Sequence, residues 1–418
     1  MTTVCLVDPV AADPSVLSSE SLPSLVFRYL DTTDADEADR LVQTIQSYPE
    51  VSVERLTRII QTERVYQSQP IGTLTEEHIR IQGRDYQLAL SVPLTYQPTK
   101  GYGLVVCLHG AGFTGDVYLE RWQARLGDDY LLACPTYPSG AWFTRRAEEL
   151  VLATIQQVRR RYHVDPDRIF LTGMSNGGIG TWLIGMHHAP LFAGLAPMAS
   201  GLDDVLMPFL ANLRHTPIYI IHGAKDQVMP VELSRSISRE LAALGIPHVY
   251  REHQREHPMA GGHFFPREEL PDLIMWLNRQ RRDPLPAQLT VVREASHFQP
   301  FNWLRIESTD PIAAFSDDLV DKHDERIRRR EYARLDATIV QEDRVEVKTE
   351  RVQRYTLFLN DQLIDASKPI TVWTNGQLSF EGRVKPSVET VLRQARLRQD
   401  PRQLFSVQLT ISVPKRSP

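Results

Sequence analysis

The sequence predicts an α/β fold, a mostly parallel sheet flanked by helices, with a helical extension ahead of it and a β-rich region behind. Three observations carry that reading. Between residues 103 and 281, short apolar runs alternate with helix-compatible stretches, the pattern of βαβ units whose strands are buried on both faces. Beyond Arg281-Arg282-Asp283-Pro284-Leu285-Pro286 the helical stretches thin out and short alternating runs take over. Within the first region, Ile169-Phe170-Leu171 leads into Gly173-Met174-Ser175-Asn176-Gly177, a serine held between glycines where a strand turns into a helix.

Residues 1–70 read as an irregular lead followed by short helices. Ala38, Leu41, Val42 and Ile45 recur at helical spacing over 35–47, and Leu56, Ile59 and Ile60 do so over 53–62. The expectation is a helical extension packed on the main domain, with a lid or docking element as the alternative. Residues 77–93 turn strand-like around Gln82-Gly83-Arg84-Asp85, with Tyr86, Leu88, Leu90 and Val92 alternating, as in a hairpin that opens a sheet. Strands then follow at 103–108, 130–134, 168–173, 192–199, 216–222 and 248–253. Helices are expected at 146–161, 176–187, 231–244 and 268–281. The charged, proline-containing linker closes a domain expected to span 71–284. From 287 to 418 we expect a sandwich-like domain, with strands at 288–292, 302–307, 335–339, 345–349, 354–359, 370–380 and 405–413 and a helix at 387–398. Thr374-Asn375-Gly376-Gln377 is a two-residue hairpin signal. The mixed-charge run 321–336 reads as a solvated loop or helix. No internal repeat and no low-complexity tract is present.

Bulk properties narrow the function classes. The 418 residues carry 47 basic and 52 acidic side chains, a net charge of −5, so nothing suggests nucleic-acid binding. Three cysteines make no disulfide framework; Cys107 and Cys134 sit in apolar runs as buried thiols, and Cys5 lies in the irregular lead. Met1 to Val10 has no basic start and no sustained apolar core, so no secretory signal is expected. No run approaches membrane-span length. The expectation is a soluble, cytoplasmic protein of undetermined oligomeric state.

A catalytic serine needs a base, an orienter for that base and donors for an oxyanion. Ser175 is the candidate nucleophile. Gly103 to Leu108 is a buried run that breaks into His109-Gly110-Ala111-Gly112, a glycine-rich exit whose backbone N–H groups suit a developing negative oxygen. The backbone N–H of Asn176 and of Ala111 are the expected donors, with Gly112 as alternative to the second. Pro217 to Ile221 is another buried run, with Asp226 just past its end as orienter; Asp203 and Asp204 are its rivals. Three histidines compete as base, His253, His257 and His263, the last behind Gly261-Gly262 and ahead of a helix. His109 and His222, before glycines at strand exits, read as structural, with His109 also able to shape the oxyanion loop. Phe113, Trp142, Phe143, Phe264 and Phe265 flank these loops, and Phe113, Trp142 and Phe264 are the expected substrate-pocket residues. Histidine spacing suggests no metal site, and there is no glycine-rich nucleotide loop.

With these motifs in this order, the chain resembles the α/β-hydrolase superfamily of serine hydrolases. It is most similar to the phospholipase/carboxylesterase and polyhydroxybutyrate-depolymerase-type esterases, through Val164-Asp-Pro-Asp-Arg-Ile-Phe-Leu-Thr-Gly-Met-Ser-Asn-Gly-Gly178. The resemblance covers roughly residues 75 to 282. It implies an α/β-hydrolase fold, a Ser175-His263-Asp226 triad with His263 where the family motif puts it, cleavage of a small-molecule carboxylic ester through an acyl-enzyme, and no cofactor. Two other functions stay open. A serine peptidase of the prolyl-oligopeptidase type shares this fold, although the leading 70 residues are too few for a propeller. A binding protein on a hydrolase scaffold would use the β-rich region, with Trp303, Trp373 and Phe405 as a sugar-stacking face or, alternatively, as core.

Overall fold

A computed structural model describes residues 20–315 and 324–414. Cys5 and the start of the mixed-charge run, residues 321–323, lie outside the described residues. Three helices lead: α1 (Leu22–Asp31), α2 (Ala35–Gln46) and α3 (Val53–Thr62). Each begins at a side chain that accepts a first-turn N–H: Ser21, Asp34 and Ser52. Helix α1 falls in what the sequence reading took as irregular lead.

Next come β1 (Gly72–Ile81), β2 (Arg84–Val92), β3 (Tyr102–Leu108), α4 (Gly115–Leu126), β4 (Tyr130–Pro135), α5 (Arg145–Arg161) and β5 (Val164–Met174). They are followed by α6 (Asn176–His187), β6 (Gly194–Met198), β7 (Ile218–Gly223), α7 (Val231–Ala243), β8 (His248–His253) and α8 (Leu270–Arg279). Among the described residues these strands form one sheet in the order β1-β2-β4-β3-β5-β6-β7-β8. The β1–β2 hairpin and the β2–β4 pair are antiparallel, and every pairing from β4 to β8 is parallel. β3, β4, β6 and β7 are buried along their whole lengths, as strands covered on both faces must be. Ligands to such a sheet bind beyond the C-terminal strand ends, where Ser175, Asp226 and the His109 turn lie.

The remaining elements are β9 (Gln288–Arg293), β10 (Leu304–Thr309), α9 (Glu325–Arg328), β11 (Ala333–Gln341), β12 (Arg344–Glu350) and β13 (Val352–Leu359). β14 (Ile370–Thr374), β15 (Gln377–Gly382), α10 (Val388–Arg398) and β16 (Val407–Ser412) complete the described chain. They make a three-stranded sheet, β10-β13-β16, and a five-stranded one, β15-β14-β12-β11-β9. The hydroxyls of Tyr355 and Thr374, 2.6 Å apart and buried, tie the two together. Asn375 and Gly376 both have positive φ, 52° and 81°, the left-handed pair that a tight β14–β15 turn demands. Trp303 and Phe405 are fully buried, so they are core and present no stacking face.

These sheets share an interior with the α/β region: Leu104, Trp182 and Phe209 belong to the same apolar cluster as Leu289, Tyr332 and Leu357. Polar contacts fix the junction. Buried Asn212 donates to Met186 O (3.0 Å) and Val292 O (3.1 Å) and accepts from Val292 N–H (2.7 Å). Arg282, in the charged linker, is buried and pairs with Asp167 and Asp400. Helices α1 to α3 form a separate apolar cluster with α10.

The deepest part of the junction is a charged network. His297 Nδ1 bonds Glu294, its Nε2 lies 3.1 Å from Glu148 Oε2, and His188 bonds the other oxygen of Glu148. Burial alone would lower the pKa of His297, but its two carboxylate partners outweigh that and raise it. Burial would raise Glu148 and Glu294, yet the facing histidines hold both below the usual carboxylate range. The signs fix the pH window. The His297 contribution is full below the ordinary imidazole range and is lost as pH rises through its raised value; those of Glu148 and Glu294 are present above the ordinary carboxylate range and are lost as pH falls through their depressed values. His297→Ala leaves two buried carboxylates short of a cation, so urea denaturation at neutral pH is expected to show a loss of about 3–5 kcal/mol.

Candidate active site

Ser175 caps the junction of β5 and α6 with φ 59° and ψ −124°, a conformation that a side-chain-bearing residue holds only when its surroundings force it. Glycines supply the force. A Cβ on Gly173 would stand 2.4 Å from Gly177 O, and one on Gly177 would stand 2.1 Å from Leu108 O. The turn is therefore pressed both on itself and against the exit of β3. The serine hydroxyl makes no capping hydrogen bond to α6, and Ser175 N–H donates to Met198 O at 3.0 Å.

The loop after β3 is fixed from beneath. Buried His109 donates from Nδ1 to Gly110 O (2.8 Å) and accepts at Nε2 from Tyr137 N–H (3.1 Å). Burial holds its pKa below the ordinary value, which suits this neutral tautomer. The buried Tyr118 hydroxyl is hydrogen-bonded to the Gly110 backbone, and burial pushes its pKa up to about 12. A Cβ on Gly110 would lie 3.6 Å from Ser175 Cβ, so this loop reaches the serine. Ala111 and Gly112, next along it, are exposed, and Gly112 has φ 76°. Asn176 opens α6, where the N–H groups lack intrahelical acceptors and the helix field favours an anion.

Of the three competing histidines, His263 meets Asp226: Nδ1 lies 2.8 Å from Asp226 Oδ2. Asp226 and Gly261 form an antiparallel bridge, and Gly262 N–H donates to Lys225 O at 2.9 Å. Gly261 has φ 56°, and a Cβ there would stand 2.1 Å from Lys225 O, which accounts for the glycine pair ahead of the histidine. His257 is spent on the same loop, its Nδ1 accepting from Met259 N–H at 3.3 Å, and His253 packs its ring 5.1 Å from that of Phe264. The rivals of Asp226 have other partners: Asp203 accepts from Val205 N–H, and Asp204 pairs with Arg330 at 3.1 Å.

Asp226 is completely buried at its side chain. Burial would raise its pKa, but hydrogen bonds from His222, His263 and the N–H groups of Met229 and Val228 together hold it far below the usual range. Its Oδ1 accepts from both backbone groups, at 2.7 and 2.8 Å. Sequence reasoning missed the part of His222. Its Nε2 lies 3.3 Å from Asp226 Oδ2 and 3.0 Å from Met229 O, both acceptors, so this nitrogen carries the proton; Nδ1 meets Ser234 Oγ at 2.7 Å. A histidine four residues ahead of the aspartate at a strand end was the available signal.

Two expectations turn out differently. No hydrogen bond joins Ser175 Oγ to the His263 ring among the described residues, and such contacts often close only around a substrate. Trp142 is fully buried and donates from its indole nitrogen to His109 O at 2.7 Å; it packs the loop from inside, which corrects its expected place in a substrate pocket. Phe113 is 44% exposed and Phe264 half-buried, so both rings keep accessible surface. The structure does gather a group that spacing hid: ligand atoms of Glu148, His187 and His297 lie within 4.8 Å of one another. The rings of His187 and His297 stack at 3.8 Å and 12°, so their lone pairs run side by side without a common focus, and both nitrogens of His297 already face carboxylates.

No family model matches the chain. Among curated proteins it is 26% identical over 183 residues to a probable feruloyl esterase C of Aspergillus flavus, covering 41% of this chain and 65% of that one. It is 31% identical over 121 residues to acyl-protein thioesterase 1 of Gibberella zeae, covering 28% and 49%. A third relative is poly(3-hydroxyalkanoate) depolymerase C of Paucimonas lemoignei, 29% identical over 114 residues and covering 23% and 28%. The chain spans less than two thirds of the length of each. Among solved structures, a thermostable esterase aligns with TM-score 0.45 and 26% identity over 50% of this chain and 63% of that one. A mostly parallel sheet with a G-x-S-x-G corner at the end of an inner strand is an α/β-hydrolase fold, as the sequence resemblance implied. The closeness of the corner is testable without substrate. Gly177→Ala sets a methyl against a backbone oxygen that no rotamer change can move, so urea denaturation is expected to show a loss at or beyond the top of the ~1–3 kcal/mol typical of overpacking.

Proposed function

We propose that the protein is a serine hydrolase that cleaves small-molecule carboxylic esters through an acyl-enzyme. The observation that carries this reading is the 2.8 Å contact between His263 Nδ1 and the buried Asp226 carboxylate, made by loops at the same sheet end as the Ser175 corner. In this reading Asp226 fixes the tautomer of His263, leaving Nε2 to act as base.

Ser175 Oγ attacks the acyl carbonyl as His263 Nε2 takes its proton. The tetrahedral oxyanion sits between the N–H groups of Ala111 and Asn176, each typically worth about 10²–10³ in rate. Collapse expels the alcohol, which takes the proton from His263. Water, deprotonated in turn by His263, releases the acid and restores the serine. The reaction needs no cofactor. Phe113 and Phe264, with their accessible rings, are the proposed walls for the apolar part of the substrate. The relatives, a probable feruloyl esterase, an acyl-protein thioesterase and a poly(3-hydroxyalkanoate) depolymerase, support acyl transfer to water as the shared chemistry.

No helix among the described residues is long and apolar enough to cross a membrane. A cytoplasmic location belongs to the same proposal, supported by Cys107 and Cys134, which occupy adjacent strands as free buried thiols.

The test is hydrolysis of p-nitrophenyl esters from acetate to dodecanoate, with aminoacyl anilides alongside. Wild type is expected to turn over esters and spare the anilides, and Ser175→Ala to fall to background. Asp226→Asn should cost about 10⁴-fold in kcat. Retained activity in Ser175→Ala would overturn the nucleophile assignment, and anilide cleavage would favour a peptidase.

A further inference from the structure

A second site lies at the other end of β5. A cavity of about 350 Å³ opens between α1, α3, the end of α5, the start of β5 and the end of α10. Val164 and Pro166 line it, whereas Ser175 follows the last residue of the same strand, so the two sites are roughly 30 Å apart along β5. That volume lies within the range of small-molecule sites.

Its walls divide into an apolar part and a charged part. Phe27, Leu30, Ile60 and the ring of Tyr66, which stacks on His163 at 4.8 Å, supply the first. The charged part is unbalanced. Arg64 is bound to both oxygens of Asp31 at 2.8 Å, and Arg402 pairs with Asp167 at 3.0 Å. Asp400, the one acid among the lining residues, is committed to Arg282 at 2.6 Å and accepts from Arg402 N–H at 2.9 Å. Arg159 lines the same cavity and has no hydrogen-bond or ion-pair partner among the described residues. Burial lowers its pKa despite the pull of Asp400, with Arg282 and Arg64 opposing its charge as well. The side chain is half-buried in the cavity wall, and a guanidinium withdrawn from water is ordinarily paired with an anion.

We propose that this cavity binds an organic monocarboxylate, with the Arg159 guanidinium taking the carboxylate and Phe27, Leu30, Ile60 and Tyr66 enclosing its apolar or aromatic body. The guanidinium fork matches a carboxylate in two parallel hydrogen bonds. The charge selects the class: the other cations of the wall are paired or, like Arg160, exposed at the rim, so one half-buried positive charge without a partner remains. A monoanion balances it. A phosphate, with ≈ −1.5 to −2 at neutral pH, would leave negative charge buried. The inference does not depend on the activity proposed for Ser175.

The experiment is calorimetric titration of the full chain with benzoate, and with benzamide and acetate as partial mimics that lack the charge or the body. Benzoate is expected to bind once and saturably, with benzamide and acetate at least tenfold weaker. Arg159→Gln should weaken benzoate at least tenfold and Arg159→Lys by less, since lysine keeps the charge but not the fork. Melting temperatures of both variants should be no lower than that of the wild type and ester turnover should be unchanged, because Arg159 has no protein partner to lose. The proposal is overturned if benzoate fails to saturate, if benzamide binds as well, or if Arg159→Gln keeps the wild-type affinity. A marked fall in melting temperature for both variants would also overturn it, by making Arg159 a structural strut.

Discussion

At the end of β5 two backbones come so close that only glycine fits between them, and the rest of the candidate site follows from that contact. Gly177 faces Leu108 O, and Gly173 faces Gly177 O, at distances no Cβ tolerates. With both flanks pinned, Ser175 has no relaxed conformation left and takes φ 59°, a strain of order 1–3 kcal/mol that the surrounding sheet must over-determine. Three consequences are geometric. The hydroxyl is turned away from capping α6, the unpaired N–H groups of that helix lie beneath it, and the loop after β3 is brought to it through Gly110. A looser corner would lose all three together.

The molecule buries charge in three different ways, and the contrast separates structure from function. Around Asp226, four hydrogen-bond donors outweigh burial, so the carboxylate stays ionised, with Oδ2 shared between His263 and His222. Around His297, a cation sits between two carboxylates that two neighbouring segments supply, and both of its ring nitrogens are taken. Such a cluster holds the end of β9 against α5 and α6, much as Asn212 does with neutral groups. Arg159 has neither arrangement, a half-buried charge at a cavity wall without its complement. Donors in excess, a cation shared between two carboxylates and an open deficit correspond to a poised reactive group, a strut and a receptor.

Legibility in the sequence tracked how local each signal was. The corner glycines, the Asn375-Gly376 turn and the alternation of apolar runs are set by neighbours a few residues apart, and they read directly. Helix α4 was passed over because it starts at Gly115 with no side-chain cap at Thr114, although Tyr118, Leu119, Trp122 and Leu126 make a buried stripe. Helix α1 does carry its signals, Ser21 as cap, Pro23 in the first turn and a buried stripe of Leu22, Leu25, Val26 and Tyr29. The role of Trp142 was misjudged because nearness in sequence to the loops does not say which side of them a ring takes. The His222–Asp226 contact and the Glu148–His297 network join side chains through folding; the second spans 149 positions, and no spacing rule reaches that far.

The position of the helical extension bears on how the two ends of the chain work together. α1 to α3 bury their apolar stripes against α10, and the Leu30 carbonyl accepts from Gln399 Nε2 at 2.8 Å. The first and last helices of the described chain thus hold each other, beside the beginning of β5 and away from its end. That geometry sets aside the alternative of a lid over Ser175, which would have to reach across the length of the sheet. It also explains why the cavity exists: three short helices bridging to a distant helix cannot follow the surface of α5 and β5 closely, and the space left between them is walled on one side by apolar stripes and on the other by the basic last turn of α5, Arg159-Arg160-Arg161. Arg161 is drawn off to Glu77 and Arg160 to solvent, so the remaining charge of that turn points into the gap.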